Sequence, residues 1–304
     1  MSKVRLIFNP ASDRGRSGQK ASDLRAVVEE FGGADWTGTE YPAHATELAA
    51  QAGLDGYETV VALGGDGTVH EVVNGLMRVA PNHRPRLGVA PIGSGNDFAF
   101  GAGVAMDPAE AMKRVFTGAT KAIDIGSIRD NNHRLEYWNN TVGIGFDAKV
   151  NIMSRKITNM YGFAMYLVST LRTIAQDYES AQEKIWFDDL PPVERDVLML
   201  TLGNGPREGG GFLTTPSSKV DDGKFEYALI GHVNRPTILQ LLPRVMQGTH
   251  ITSKHVTMGA FHKLRLEADR ALPIHTDGEL WSPYEVNTRA IEVEIIPAAI
   301  QLLI

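Results

Sequence analysis

Thr59-Val60-Val61-Ala62-Leu63-Gly64-Gly65-Asp66-Gly67-Thr68 decides how the first half of this chain folds. The five residues from Thr59 to Leu63 are uncharged and rich in β-branched side chains, which reads as a buried strand. Three glycines then fall within four positions, and His70 to Arg78 follows with Val72, Val73, Leu76 and Met77 available for one apolar helix face. Strand, glycine turn and helix make the front half of a βαβ unit. Glycines let backbone N–H groups approach a polyphosphate with no Cβ in the way, and the helix N-terminus adds a favourable dipole. The same glycines also make an ordinary turn capped by an acid. Asp66 would repel phosphate in a simple anion nest; it fits if it bonds the nucleotide or addresses a bridging Mg2+. The loop is not a Walker loop, because no Gly-Lys-Ser/Thr ends it, and its spacing is not the dinucleotide fingerprint.

Working outward, Val4 to Phe8 reads as a strand, followed by a polar, glycine-bearing loop over Ser12 to Gly18 and a helix through Leu24, Val27 and Val28. A weaker strand over Asp35 to Thr39 precedes an alanine-rich helix from Ala45 to Ala52. Arg86 to Ala90 is the next strand, broken by Pro91. This alternation predicts parallel βαβ units, whose ligands collect at the carboxyl ends of the strands. A second loop, Pro91-Ile92-Gly93-Ser94-Gly95-Asn96-Asp97-Phe98-Ala99, sits at such an end. Alone it would pass as a turn and N-cap. With Ser94, Asn96 and Asp97 it repeats the glycine-plus-acid pattern of the first loop.

After Asp124 the texture changes to short β-rich runs divided by Gly, Pro, Asn and Asp: Glu136 to Val142, Lys184 to Phe187, Val197 to Leu202, Lys224 to Ile230, His255 to Ala260 and Lys263 to Ala268. These predict a mostly antiparallel sandwich. Helical stretches at Tyr161 to Gln176 and Pro236 to Met246 interrupt it. The tail from Ile291 to Ile304 is apolar around Pro297 and returns to the first domain. The expected division is 1–124 with about 297–304 as an α/β nucleotide-binding domain, and 125–296 as a β-sandwich domain. The segment from Met153 to Tyr166 reads as core in preference to a lipid-facing surface. Arg155, Lys156 and Arg172 read as a solvated face.

The bulk composition agrees with a globular chain: 304 residues, 43% hydrophobic and 22% charged. A formal charge of −6 argues against a nucleic-acid partner, which needs a dominant basic face. The absence of cysteine excludes disulfides and thiolate metal sites and fits a reducing cytoplasm. The apolar stretch at the N-terminus is too short for a signal peptide, and no apolar run approaches the ~18 residues that span a bilayer. Membrane contact is expected from outside only. His70 reads as a capping or surface residue, and His232, His255, His262 and His275 lack the paired spacing of a metal site. Gly93-Ser94-Gly95 lacks the frame of a nucleophile elbow. Oligomeric state stays open, a homodimer being one option.

Gly64 to Glu71 with Asn74-Gly75-Leu76, Asn9-Pro10, Pro91 to Ala99, Val142 to Ala148, Asn204-Gly205, Gly209 to Phe212, Asp221 to Phe225 and Asp277-Gly278-Glu279 together resemble the diacylglycerol kinase catalytic-domain family, which includes sphingosine and ceramide kinases. The resemblance runs nearly the whole chain in order and is strongest to the soluble bacterial members. It implies ATP in the interdomain cleft, with Gly64, Gly65, Asp66, Gly67 and Thr68 on the phosphates and Asn9, Thr39, Glu71, Ser94, Asn96 and Asp97 around the nucleotide. Ser94 stands where a threonine is usual and keeps the hydroxyl. The resemblance also implies a structural Mg2+ held by the Asp222 side chain and the Lys219 and Lys224 carbonyls, with Asp124 joining through water. Glu279 would be the base on the attacking hydroxyl, with Asp277 beside it as orienter or metal partner; the tripeptide alone equally suits an Asp-Gly hairpin turn. The implied reaction transfers the γ-phosphate of ATP to a lipid hydroxyl at a membrane surface, in a cytoplasmic protein making peripheral membrane contact. A NAD kinase, which shares the Gly-Gly-Asp-Gly-Thr loop, and a non-catalytic lipid-binding regulator are the alternatives.

Overall fold

A computed structural model of the chain describes residues 3–10 and 16–304. Of the polar loop expected over Ser12 to Gly18, positions 12–15 lie outside the described residues, and a helix begins at Arg16. The chain divides into two compact units, Met1–Ile125 with Pro297–Ile304, and Gly126–Ile296.

The first unit alternates strands and helices: β1 (Val4–Phe8), α1 (Arg16–Asp23), α2 (Arg25–Glu30), β2 (Asp35–Gly38), α3 (His44–Leu54), β3 (Thr59–Gly64), α4 (Asp66–Leu76), β4 (Arg86–Pro91), α5 (Asp97–Ala102), α6 (Pro108–Thr117) and the start of β5 (Thr120–Asp130). The strands pair in the order β4-β3-β1-β2, all parallel. Thr59–Leu63 is buried throughout, as a strand covered on both faces must be. Leu6, Val61, Leu63, Ala90 and Ile92 pack with Val28, Met112 and Val115 from the helices. Because β1 lies between β2 and β3, the connections run in opposite directions from it, which places a topological switch at the carboxyl ends of β1 and β3.

Two expectations shift here. Helix α4 begins at Asp66, four residues before the expected His70, because extended Gly65 caps it and its carbonyl already accepts from Thr68 and Val69 N–H. The glycine loop is therefore partly the first turn of a helix. His70 is neither a cap nor a surface residue: it is buried, with Nε2 3.3 Å from Asn74 Nδ2.

The second unit contains β6 (Leu135–Trp138), β7 (Thr141–Gly145), α7 (Phe146–Ser154), α8 (Gly162–Gln176), β8 (Ala181–Phe187), β9 (Val193–Gly203), β10 (Phe225–Gly231), α9 (Arg235–Met246), β11 (Val256–Phe261), β12 (Lys263–Ala268), β13 (Ile274–Thr276), β14 (Glu279–Ser282) and most of β15 (Ala290–Leu303). Its strand pairs are antiparallel. Strand β9 ties them together: Val193–Val197 pairs with β8, and Met199–Gly203 pairs with β7 and, on its other edge, with β10. Trp138, Phe225 and Phe261 pack against one another in this core as tilted rings, with centroids 4.4 and 5.7 Å apart in succession. Helices α7, α8 and α9 cover a second apolar cluster through Phe146, Val150, Ile174, Ile238 and Leu241.

The run expected from Glu136 to Val142 breaks at Asn139-Asn140, whose backbone amides leave the ladder for the Asp277 carboxylate. The Met153 to Tyr166 segment is not core: Ser154 and Ile157 are buried, whereas Met153, Phe163, Met165 and Tyr166 are half-buried and Tyr161 is exposed.

Candidate active site

In the first unit, the carboxyl ends of β3 and β4 lie side by side, with Gly64 opposite Pro91. The loops leaving them touch through glycine backbone. A Cβ on Gly93 would collide with the Gly65 Cα, and one on Gly64 would collide with the Thr68 hydroxyl. Only glycine allows this approach, and the cradle so formed is one that any Cβ would fill. Asp66 joins the loops: its Oδ1 accepts the Phe98 N–H at 3.0 Å. A Cβ on Gly95 would lie 2.9 Å from Asp66 Oδ2 and 3.4 Å from Asp97 Oδ2, so both carboxylates flank Gly95. Asn96 adopts a left-handed conformation and closes its own loop, its amide bonding the Gly93 N–H and carbonyl at 3.1 and 3.0 Å. Ser94 is exposed on that loop.

Asn9 follows β1 and Thr39 follows β2, where the Thr39 N–H donates to the Phe8 carbonyl at 2.9 Å. Both therefore share the carboxyl edge with the glycine loops. Glu71 has a different setting. Its two oxygens accept the Ala43 and Ala45 N–H groups at 3.0 Å each, capping the start of α3. Lys20 on α1, which sequence reasoning passed over, donates to the Ile92 carbonyl at 2.9 Å beside the second loop; nothing in its local sequence marks it.

In the second unit, Asp277-Gly278 forms the two-residue turn between β13 and β14, with φ of 52° and 83°. Positive φ at both positions is what such a hairpin demands. The Asp277 carboxylate is buried and accepts three backbone amides, Asn139 at 3.0 Å, Asn140 at 2.8 Å and Thr141 at 3.1 Å. It is thus a clamp between two turns, a job that the expected orienter or metal role did not include. Glu279, the next residue after Gly278, is half-exposed and pairs with Arg155 at 2.9 Å. Arg155 is therefore tied to this turn and is not simply part of a solvated face. Asn151 Nδ2 donates to the Gly278 carbonyl at 2.6 Å.

Asp147, Asn151 and Arg155 recur every four residues, one face of α7 and its C-cap aimed at the turn. That spacing is legible in the sequence, although no expected helix covered it. Below the turn, His275 Nε2 lies 3.5 Å from Asp147 Oδ1, and Asp147 Oδ2 accepts the Thr201 hydroxyl at 2.7 Å. Burial alone pushes the Asp147 carboxyl up, but the adjacent His275 and the donors on it hold it below the usual value. Glu208 completes a group whose ligand-type atoms lie within 4.8 Å of one another.

The residues expected to hold Mg2+ come from both units. Asp222 is partly exposed next to Gly223, with Oδ2 in a loose 3.8 Å contact to Lys224 Nζ. Asp124 is buried in the first unit and accepts the Ala298 N–H at 2.8 Å.

A parallel α/β unit with glycine-lined strand ends and an antiparallel second unit make up the fold. The chain belongs to the diacylglycerol kinase catalytic-domain family: residues 3–128 match the family described as "Diacylglycerol kinase catalytic domain", and 140–304 match "YegS C-terminal NAD kinase beta sandwich-like domain". A Chromohalobacter salexigens protein named "Probable lipid kinase YegS-like" is 34% identical over 76% of this chain and 73% of its own. A Bacillus subtilis "Diacylglycerol kinase" is 27% identical over 92% of this chain and 90% of its own. The crystal structure of a Bacillus anthracis diacylglycerol kinase superposes with a TM-score of 0.73 at 20% identity, covering 99% of this chain and 96% of that one, a likeness of fold. Among the described residues, no helix is long and apolar enough to cross a membrane.

Proposed function

We propose that this protein is an ATP-dependent lipid kinase that transfers the γ-phosphate to a lipid hydroxyl, most plainly that of diacylglycerol or a related lipid. The observation that supports this reading best is the glycine-to-glycine packing of the Gly64–Thr68 and Pro91–Ala99 segments, with Asp66 bridging them. It leaves a Cβ-free backbone surface at a helix N-terminus, suited to a polyphosphate.

In this reading Gly64, Gly65, Gly67 and Thr68 receive the phosphates, and Asn9, Thr39, Ser94, Asn96 and Asp97 border the nucleotide. Asp66 and Asp97 would face a cationic partner of the phosphates. Mg2+ accompanying ATP would neutralise charge on the polyphosphate; a separate, structural Mg2+ would be held by the Asp222 side chain and the Lys219 and Lys224 carbonyls, with Asp124 joining through water. Glu71 serves the nucleotide side at one remove, by fixing α3 against α4. Phosphoryl transfer asks little covalent help of a protein, so the decisive acts are placing the hydroxyl and removing its proton. Glu279 is the proposed base. Its pairing with Arg155 is half-exposed and worth little, about 0–1 kcal/mol, so it can open for a substrate. Asp277 holds the turn from which Glu279 projects.

The test is incubation of the purified protein with Mg2+, γ-labelled ATP and a panel of diacylglycerol, a sphingoid base, phosphatidylglycerol, a polyprenol and NAD. Label in a lipid is the expected result. Label in NAD alone, or in no acceptor, overturns the proposal.

A further inference from the structure

We propose that His275 is a positioning residue for the acceptor base: it holds the Gly278 peptide that aims Glu279, and Asp147 holds His275. The inference rests on the reading of Glu279 as the base.

Glu279 is half-exposed, and its side chain pairs with Arg155 in a contact weak enough to open for a substrate. With that pair open, its aim rests on the backbone turn before it. That turn is fixed at several points: the Asp277 carboxylate by three amides, the Gly278 carbonyl by Asn151, and the Gly278 N–H by His275 Nδ1 at 3.3 Å. The last contact sets the chemistry of the ring. A backbone N–H can only donate, so Nδ1 accepts and carries no proton. In the neutral ring the proton then sits on Nε2, the nitrogen that faces Asp147. Asp147 is held in turn by the Thr201 hydroxyl. A chain of contacts thus runs from β9 through the first turn of α7 and β13 to the peptide next to Glu279.

The space for this chain is specified in the sequence. His275 and Gly143 are partners in the β13–β7 ladder, and a Cβ on Gly143 would collide with His275 Nε2 and lie 2.5 Å from Asp147 Oδ2. Gly143 is the position that lets an imidazole and a carboxylate meet over the sheet. His275 is buried within the second unit. Its role is to orient Glu279 through the turn.

The experiment compares His275→Ala, His275→Asn and Glu279→Gln in the transfer assay, using the panel lipid that the wild type labels fastest. Hydrogen–deuterium exchange over residues 276–282 and ATP binding are measured alongside. His275→Ala should lower kcat by about ten- to a hundredfold, the scale of a misplaced catalytic group, with ATP affinity unchanged within about twofold and faster exchange in the turn. His275→Asn places an amide oxygen near the Nδ1 position and should recover most of the lost rate. Wild-type kcat in His275→Ala, with Glu279→Gln inactive, removes this inference and leaves the base in place. Equal impairment of the Ala and Asn variants also overturns it. Wild-type transfer by Glu279→Gln takes down the base assignment and the inference with it. If His275→Ala does not fold, the rate and exchange of His275→Asn decide: near-wild-type values support the proposal, and a large loss of rate contradicts it.

Discussion

Two Asp-Gly pairs, one in each unit, look alike in sequence and serve differently in the structure. Asp66-Gly67 opens a helix, and its carboxylate accepts one amide across a glycine-lined contact while standing beside Gly95. Asp277-Gly278 closes a hairpin, and its carboxylate is buried among three backbone amides. The Asp66 carboxylate joins two glycine loops at strand ends, whereas the Asp277 carboxylate pins a strand break to a hairpin. Proximity to a glycine turn is therefore a weaker indicator of chemistry than the backbone groups an acid holds.

The contrast can be broken by substitution. Asp66→Ala should reduce transfer by at least about a thousandfold, roughly 4 kcal/mol of barrier, while costing about 1 kcal/mol of stability for the lost acceptor of the Phe98 N–H. Steady-state kinetics and a melt on one preparation check both halves. Asp277→Ala should instead cost about 3 kcal/mol in urea unfolding, since it strands three amides that are buried or nearly so. Asp277→Asn, which keeps an acceptor oxygen, should cost about half as much.

Glu183 sharpens the same point from the opposite side, because it is buried on β8 and its Oε2 meets no donor. Burial, with the nearby Asp269 charge, pushes its carboxyl up to about 8 from 4.5. The folded protein therefore binds a proton there that the unfolded chain has released, so this contribution makes stability fall as pH rises from about 4.5 to about 8. Glu183→Gln should flatten that slope and raise stability at pH 8 by about 2 kcal/mol, measured as urea midpoints across the range. The smallest effect belongs to Glu71, placed near the nucleotide by motif and found capping α3. Glu71→Gln should cost about 1 kcal/mol of stability with transfer within about twofold of wild type. A loss of transfer as deep as that of Asp66→Ala would put Glu71 back among the ligand groups.

The parallel strands of the first unit were legible because burial on both faces leaves uninterrupted runs such as Thr59–Leu63, and glycine marks their ends. The start of α4 was not, because Gly65 caps with its backbone alone and leaves no side-chain signature. The break at Asn139-Asn140 was equally hidden: its cause is Asp277, more than a hundred residues away in the chain. At the site, glycine motifs marked the ends of β3 and β4, but gave no sign that the Asp277 carboxylate is taken up by backbone amides. His275 was passed over because its partner, Asp147, lies on another element, and only the β13–β7 register brings them together. The Met153 to Tyr166 segment misled through composition. Phe163 does pack on Phe212, with centroids 5.3 Å apart, yet much of the segment stays at the surface.

The central claim is a division of labour, with nucleotide held by the first unit and the acceptor hydroxyl activated from the second. Equilibrium ATP binding, paired with γ-phosphate transfer to the accepting lipid, tests it directly in Asp66→Ala and Glu279→Gln. The account predicts that Glu279→Gln binds ATP within about twofold of wild type and transfers less than about a hundredth as fast, whereas Asp66→Ala loses both. Retained transfer in Glu279→Gln, or undiminished ATP binding and transfer in Asp66→Ala, would contradict it.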